Sequence, residues 1–242
     1  MIPVFNEERN IFELIREVSK VPIEKEIVLV DDGSTDATAA IIENDILPAF
    51  KGIQFFRHTK NLGKGAAIRT GLGRISGDIV VIQDGDLEYN PMEIPSLYEK
   101  FADPGVSVVY GTRFHRTSRI LFVWYWFLNR VRGGHYYGVR YIHHFIGIQA
   151  LNFLANTLYS AKISDEATCY KSFRKSVLDK ISLRCNGFDF CPEFTAKVRK
   201  AGFAISEVPI SYRPRSREEG KKLNWKHGIE AVYTLIKYRF VD

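Results

Sequence analysis

The amino-acid sequence predicts an α/β fold with a mostly parallel central sheet flanked by helices. Three observations lead there. Short apolar runs of strand length recur through the first half, at residues 26–30, 53–57, 78–82 and 106–110. Segments of helical length with turn chemistry at their entries lie between them, and such alternation calls for parallel strands joined by crossover helices. Apolar residues make up 45% of the 242, enough to cover both faces of such a sheet.

Each element has its own justification. "MIPVFNEERN" enters a Pro-Val-Phe-Asn-Glu turn almost at once, so the strand that should feed it is missing and a truncated start is expected. "EIVLV" is a short buried strand. The following "DDGSTDAT" supplies a turn and a helix start, with Ser34 or Thr35 capping and Asp36 close behind. "IQFFR" is the next strand, and "NLGKGAAIRTGL" carries it through a glycine-bearing turn into a helix. This is no P-loop, because the Gly-x-x-x-x-Gly-Lys-Ser/Thr spacing is absent, and no Gly-x-Gly-x-x-Gly follows a strand. Lys64 is open to two readings: a packed helix entry or a phosphate contact. "DIVVI" and "VSVVY" complete the strands, with a helix near 93–101 between them.

Beyond Tyr110 the rhythm changes. Residues 115–145 are rich in aromatics, Arg and His, with "RGGHYYG" as a loop. "IGIQALNFLANTLYSA" is helical, and "GFDFCPEFTAKVRKAGFAISEVPISY" is helix then strand. "RPRSREEGKKLN", without apolar content, is a mobile loop. The tail is a helix with Trp225, Ile229, Val232, Tyr233 and Ile236 on one face. No repeat or low-complexity segment interrupts this order.

The net charge of +6 suits an anionic ligand or a membrane surface better than nucleic acid. Cys169, Cys185 and Cys191 lack metal-ligand spacing and leave an odd one over; they are expected to be packing residues in a reduced, cytosolic setting. The longest apolar run, "ILFVWYWFL" at 120–128, is far short of the ~20 residues needed to span a bilayer. It is either core or an interfacial helix flanked by Arg113, Arg116, Arg119, Arg130 and Arg132.

Ligands of an open α/β sheet bind beyond the carboxyl ends of its strands. There the sequence gathers Asp31 and Asp32, then Asp84 and Asp86, then Arg113. An Asp-x-Asp after a buried strand offers hard oxygen ligands to Mg²⁺ or Mn²⁺ beside substrate phosphates, the alternative being a solvated turn.

"IPVFNEERNI", "IVLVDDGSTDAT", "NLGKGAAIRTG", "GDIVVIQDGDLEYNP", "VVYGTRF", "DEATCYKSFR" and "EVPISYRPRSREEGKKLNW" follow one another in this order. Together they resemble the family-2 inverting glycosyltransferases of the polyprenyl-phosphate hexose synthase group, typified by dolichol-phosphate mannose synthase. The resemblance spans nearly the whole chain. It implies a single GT-A type domain over 1–242, with a nucleotide-sugar and metal half at 1–114. The acceptor half, 115–242, would carry a mobile basic loop at 213–223.

By the same resemblance, nucleotide contacts fall on Pro3, Phe5 and Glu7, where Phe replaces the commoner Tyr, and on Val30 and Asp32. The metal-diphosphate site falls on Asp84, Gly85 and Asp86, with Glu88 as third ligand, and Arg113 faces the phosphates. Arg215 and Lys222 close over the donor, with Lys64 nearby. Asp165 matches a carboxylate near the acceptor, as base, positioning residue or helix cap. His144 and Ile148 stand where a basic residue and a serine are common. The implied reaction moves mannose or glucose from GDP-mannose or UDP-glucose to a polyprenyl phosphate. The implied location is the cytoplasmic face of a membrane, with room for an anchoring partner subunit. A glycan or protein acceptor, or a non-catalytic nucleotide-sugar-binding subunit, are the alternatives.

Overall fold

The computed structural model describes residues 1–114, 142–215 and 225–241. Strands β1 (Ile2–Val4), β2 (Ile27–Asp31) and β3 (Ile53–Arg57) pair in parallel in the order β1-β2-β3. Strands β4 (Ile79–Val81), β5 (Val108–Thr112), β6 (Lys171–Arg174) and β7 (Ile205–Pro209) pair in the order β4-β6-β5-β7. Two bonds join these sets: the Met1 nitrogen donates to Val81 O (2.9 Å), and Gln83 N donates to Met1 O (3.0 Å). That is a parallel bridge, so the strands run 3-2-1-4-6-5-7 across one twisted sheet. Only β6 is antiparallel to its neighbours.

Two strands differ from expectation. The strand thought missing at the start is β1, short but in register with β2, Ile2 opposite Leu29 and Val4 opposite Asp31. Strand β6 lies in "CYKSFR", whose polar composition hides it. Lys171 and Ser172 are nonetheless fully buried. The Lys171 ammonium donates to Glu166 O (2.9 Å) and sits 3.7 Å above the Tyr110 ring centroid, and Ser172 Oγ donates to Val109 O (2.9 Å). A satisfied buried cation is tolerable where a bare one is not.

Helix α1 (Ile11–Lys20) buries Ile11, Leu14, Ile15 and Val18, the i, i+3, i+4, i+7 stripe of a helix packed on a sheet. Its core partners include Ile2, Val4 and Leu29. The helical stretch 38–49, here α2, contains a π-turn at Ile42–Ile46. Its start is met by Asp36, which accepts from Thr38 N (3.0 Å), while Ser34 Oγ accepts from Asn6 N (2.9 Å) and caps nothing. Helices α3 (Lys64–Leu72) and α4 (Ile94–Glu99) stand near their predicted places. Helices α5 (Ile142–Tyr159), α6 (Phe190–Lys200) and α7 (Trp225–Phe240) pack on one another and on the sheet. Tyr110, Phe173, Phe190, Phe194, Leu235 and Tyr238 form the centre of this second core.

Helix α7 bears out its expected shared face and shows which way that face points. Trp225, Ile229, Val232, Tyr233 and Ile236 do share a face, but that face is exposed. Ala231, Thr234, Leu235 and Tyr238 make the packing contact instead. Among the described residues no helix is long and apolar enough to cross a membrane. The run at 120–128, its arginine flanks Arg116, Arg119, Arg130 and Arg132, the side chain of His144, and loop residues 216–223 lie outside the described residues.

Candidate active site

Because β1, β2, β4 and β5 run parallel, their carboxyl ends share one edge of the sheet. A cleft of about 330 Å³ opens there. The end of β1 contributes Pro3, Phe5 and Glu7, and the end of β2 contributes Asp32. Asp84, Gly85, Asp86 and Glu88 follow β4, and Arg113 follows β5. Lys64, from the first turn of α3, and Arg215 complete the charged lining. Gly85 sits at a close approach, where a Cβ would lie 3.2 Å from Val4 Cγ2 and 3.3 Å from Pro3 O and its neighbours would have to give by a few tenths of an ångström.

The three carboxylates expected to share a cation are turned to different partners. Asp84 pairs with the Lys64 ammonium. Asp86 Oδ2 accepts from Arg215 Nη2 (2.8 Å). Glu88 accepts from Tyr212 Oη (2.7 Å) and from Arg215 N (2.9 Å), and its carbonyl accepts from Arg213 N (2.9 Å). The Arg215 guanidinium also reaches Glu7 Oε2 (3.0 Å). Glu88 thus ties down the strand of chain 212–215, and that strap carries Arg215 into the carboxylates.

Among the described residues no group of three acids, histidines or cysteines is disposed around a common metal position. The donor set nevertheless fits one. Burial, then the Asp84 and Glu88 carboxylates, push Asp86 up to about 7 against the pull of Arg215. Burial is the first cause of that shift, and two hard oxygen donors one residue apart suit Mg²⁺ or Mn²⁺. On Lys64, burial opposes the charge and Asp84 more than offsets it, so the ammonium stays protonated.

Arg113 is held differently. Its Nε and Nη2 donate to Asp165 Oδ2 and Oδ1, both at 2.7 Å, and its backbone N donates to Oδ2 (3.0 Å). Both side chains are buried. Burial works against the guanidinium, and Asp165 raises it well above its ordinary range. Asp165 is itself fixed: its N donates to Glu207 Oε1 (3.2 Å), and Glu166 N donates to Asn152 Oδ1 (2.7 Å) on α5. The carboxylate of Asp165 does not line the cleft; the guanidinium it holds does. Tyr212 lies between the two charged groups, its ring 4.8 Å from the Arg113 guanidinium and its hydroxyl on Glu88.

Asp32 accepts from Leu62 N (2.9 Å) and Gly63 N (2.7 Å) and lies 2.7 Å from His58 Nδ1, so its carboxylate folds the turn into α3. Gly63 in that turn has φ +100° and leaves no space for a Cβ, which would lie 2.3 Å from Asn186 O. The first amides of α3 are also spoken for, Gly65 N by Gly187 O (3.2 Å) and Ala66 N by Asn186 O (3.1 Å). Val30 is fully buried and neither it nor Ile148 lines the cleft. Lys222 lies outside the described residues.

Sequence reasoning missed Tyr212, Tyr89, Phe188 and His227, all of which line the cleft. Only Tyr212 and Tyr89 had a local signal, as tyrosines beside the motifs already singled out. The packing role expected of the cysteines holds for buried Cys185 and is corrected for Cys169, which lines the cleft with its sulfur 3.1 Å from Lys64 Nζ. A hydrogen bond with Cys191, and then burial, hold the Cys169 thiol well above its ordinary range.

A sheet in this order, with acids at adjoining strand ends, defines a GT-A type fold. A solved neighbour shows the same architecture: glucosyl-3-phosphoglycerate synthase from Mycobacterium tuberculosis, in complex with Mn²⁺, uridine diphosphate and phosphoglyceric acid. It matches with a TM-score of 0.69 and 19% identity over 100% of this chain and 78% of that one. The profile of glycosyl transferase family 2 matches residues 1–182, and the chain belongs to that family. Dodecaprenyl-phosphate galacturonate synthase of Rhizobium johnstonii is 25% identical over 98% of this chain. Undecaprenyl-phosphate 4-deoxy-4-formamido-L-arabinose transferase of Edwardsiella ictaluri is 28% identical over 98%. The chain spans 63% and 64% of the lengths of these two relatives.

Proposed function

We propose that this chain carries the catalytic site of an inverting glycosyltransferase that moves a sugar from a nucleoside diphosphate to a polyprenyl phosphate. The observation that carries the reading is the cleft itself. Carboxylates that fit a divalent cation, a cation paired to them (Arg215) and a cation held by Asp165 (Arg113) converge at the strand ends. Two curated relatives are named for sugar transfer involving polyprenyl phosphates, which supports the lipid acceptor.

Asp84 and Asp86 would hold Mg²⁺ or Mn²⁺, which when bound supplies charge neutralisation to a leaving diphosphate. Lys64 and Arg215 add positive charge at the same end of the cleft, and Lys222, outside the described residues, would add to it by the family resemblance. Pro3, Phe5 and Glu7 border the nucleotide. Arg113, which lines the cleft, would orient the lipid phosphate, and Asp165 takes its Nε and Nη2. A phosphate oxygen attacks the anomeric carbon from the face opposite the leaving group. The new carbon–oxygen bond forms as the bond to the nucleoside diphosphate breaks. A phosphate monoester, with a second pKa of ~6, is ionised enough to attack without a base. Asp165 is therefore a positioning residue for Arg113. The enzyme works at a membrane surface, on its cytoplasmic side where nucleotide sugars are made.

The test is divalent-cation-dependent transfer of labelled sugar to a polyprenyl phosphate. The donor panel runs from GDP-mannose and UDP-glucose to nucleoside-diphosphate galacturonate and aminosugars, with Asp86→Ala as control. Label entering the lipid with one donor, and lost in the variant, supports the reading and names the sugar. Nucleotide binding without transfer to any lipid phosphate overturns it in favour of another acceptor or a binding-only subunit.

A further inference from the structure

We propose that the outward faces of α7 and its neighbour α5 dock on an anionic lipid surface, with α7 lying in the interface plane. The proposal deepens the lipid-acceptor reading and rests on it for the orientation of the cleft. At about 100° per residue, Trp225, Ile229, Val232, Tyr233, Ile236 and Phe240 fall within an arc of about 100°. The packed residues Ala231, Thr234, Leu235 and Tyr238 centre on nearly the opposite side. Trp225 is 72% exposed and Phe240 81%. So α7 has two apolar stripes, and among the described residues only one packs on the core.

The unused stripe has a charged border. Lys226 and Lys237 flank it on one side and Arg239 on the other, all exposed. The single acid of α7, Glu230, lies beyond the two lysines. Helix α5 has no Asp, Glu, Lys or Arg along Ile142–Tyr159. Its exposed positions Ile146, Ala150, Phe153 and Thr157 follow the 4-3-4 spacing of one helix face. Scattered apolar residues need no explanation, but aligned stripes of this kind on paired helices do.

The occupant follows from chemistry and place. Aromatic and aliphatic residues bordered by Lys and Arg are the pattern of a helix half-sunk among anionic headgroups. A second copy of the chain would bring like-charged rims together instead. Position agrees: His227, in the first turn of α7, lines the cleft and packs 4.8 Å from Phe188, which lines it too. The first turn of α7 thus borders the cleft, and a lipid surface seated on the exposed stripe lies across the width of the helix from it, about 10 Å.

The experiment floats the full chain with vesicles of phosphatidylcholine alone or with about a third phosphatidylglycerol. It compares wild type with Ile229→Glu/Ile236→Glu and with Lys226→Glu/Lys237→Glu. Wild type is expected to float with the anionic vesicles. The first variant loses binding by about tenfold or more, and the second loses the preference for anionic lipid. Transfer to a short, water-soluble prenyl phosphate reports folding and the catalytic reading separately. It should match wild type in both variants, while transfer to vesicle-embedded polyprenyl phosphate falls. Wild type that does not float, or a first variant that floats equally well, overturns the proposal. So does a wild-type dimer in sedimentation equilibrium that the same substitutions dissolve. Lipid binding lost in the variants, with no transfer by any protein to either acceptor, upholds the docking face and removes the acceptor reading alone.

Discussion

Replacing Asp165, which lies behind the cleft and holds its Arg113, with Ala should cost several kcal/mol of stability, on the order of 3–5. The carboxylate is fully buried and takes two side-chain bonds of 2.7 Å and one backbone bond of 3.0 Å from Arg113. Removing it strands a guanidinium whose side chain is only 8% exposed. Breaking one side of such a pair costs about 3–5 kcal/mol, most of it the uncompensated charge. In a chain of this size about 2–4 °C is lost per kcal/mol, so the melting temperature should fall by roughly 6–20 °C. Arg113→Ala should cost a comparable amount, and the double variant should cost less than the two together by about 2 kcal/mol or more. Urea unfolding followed by far-ultraviolet circular dichroism measures all four proteins. An Asp165→Ala variant within about 1 kcal/mol of wild type, or strictly additive singles, would refute the reasoning. Asp165→Asn separates roles: a positioning residue raises KM for the acceptor and leaves the pH profile in place, whereas a base would change its acidic limb.

Arg215→Met frees Glu7 and Asp86 of the guanidinium that balances them, so Mn²⁺ should bind several-fold tighter without nucleotide; the electron-resonance signal of free Mn²⁺ reads this, and weaker binding would contradict it. Tyr212→Phe keeps the ring under Arg113 and deletes the hydroxyl on Glu88, costing about 1.5–3 kcal/mol at the strap, so trypsin should cut after Arg215 faster; an unchanged rate would show the strap held by other means. Gly63→Ala combines φ +100° with a Cβ 2.3 Å from Asn186 O, and should lose more than the ~1–3 kcal/mol of backbone strain alone; a neutral effect on thermal melting would deny that the turn fixes α3.

Strand ends were legible because apolar runs bounded by acids carry their own period and punctuation. That placed Asp32, Asp84, Asp86 and Arg113 on one edge before any coordinates. What the chain brings from afar was not legible. Arg215 meets Glu7 across 208 residues, and nothing local in "RPRSREEGKKLN" says that its first turn would be strapped by Glu88. Strand β6 hid because Lys171 looks like a surface residue until Tyr110 and the Glu166 carbonyl are placed beside it. Helix α7 shows a subtler limit. Periodicity detects a stripe but not which way it faces, and here the stronger stripe faces away from the core while Ala231, Thr234, Leu235 and Tyr238 do the packing.

The two arginines of the cleft are held by opposite logics, and the difference bears on how the site works. Arg113 is over-determined: Asp165 grips it on two side-chain nitrogens and its own amide, and Asp165 is gripped in turn by Glu207 and by its neighbour's bond to Asn152. None of these partners is a group that a ligand would claim, so the guanidinium keeps its place whether or not the cleft is filled. Arg215 rests on Glu7, Asp86 and Glu88, and Asp86 is one of the two carboxylates that a divalent cation fits. Its position is conditional on the charge of the cleft. A divalent cation held there would compete for Asp86, and a diphosphate bound beside it would offer Arg215 a new anion. A phosphate acceptor that must be aimed at one carbon needs the rigid arginine, because misplacement by 1 Å is costly. A leaving diphosphate that must be released needs the conditional one. The fold supplies rigidity from β5, β7 and α5, and conditional hold from a strap whose backbone is tied to Glu88, so in the proposed reaction each end of the cleft would have the kind of cation its half requires.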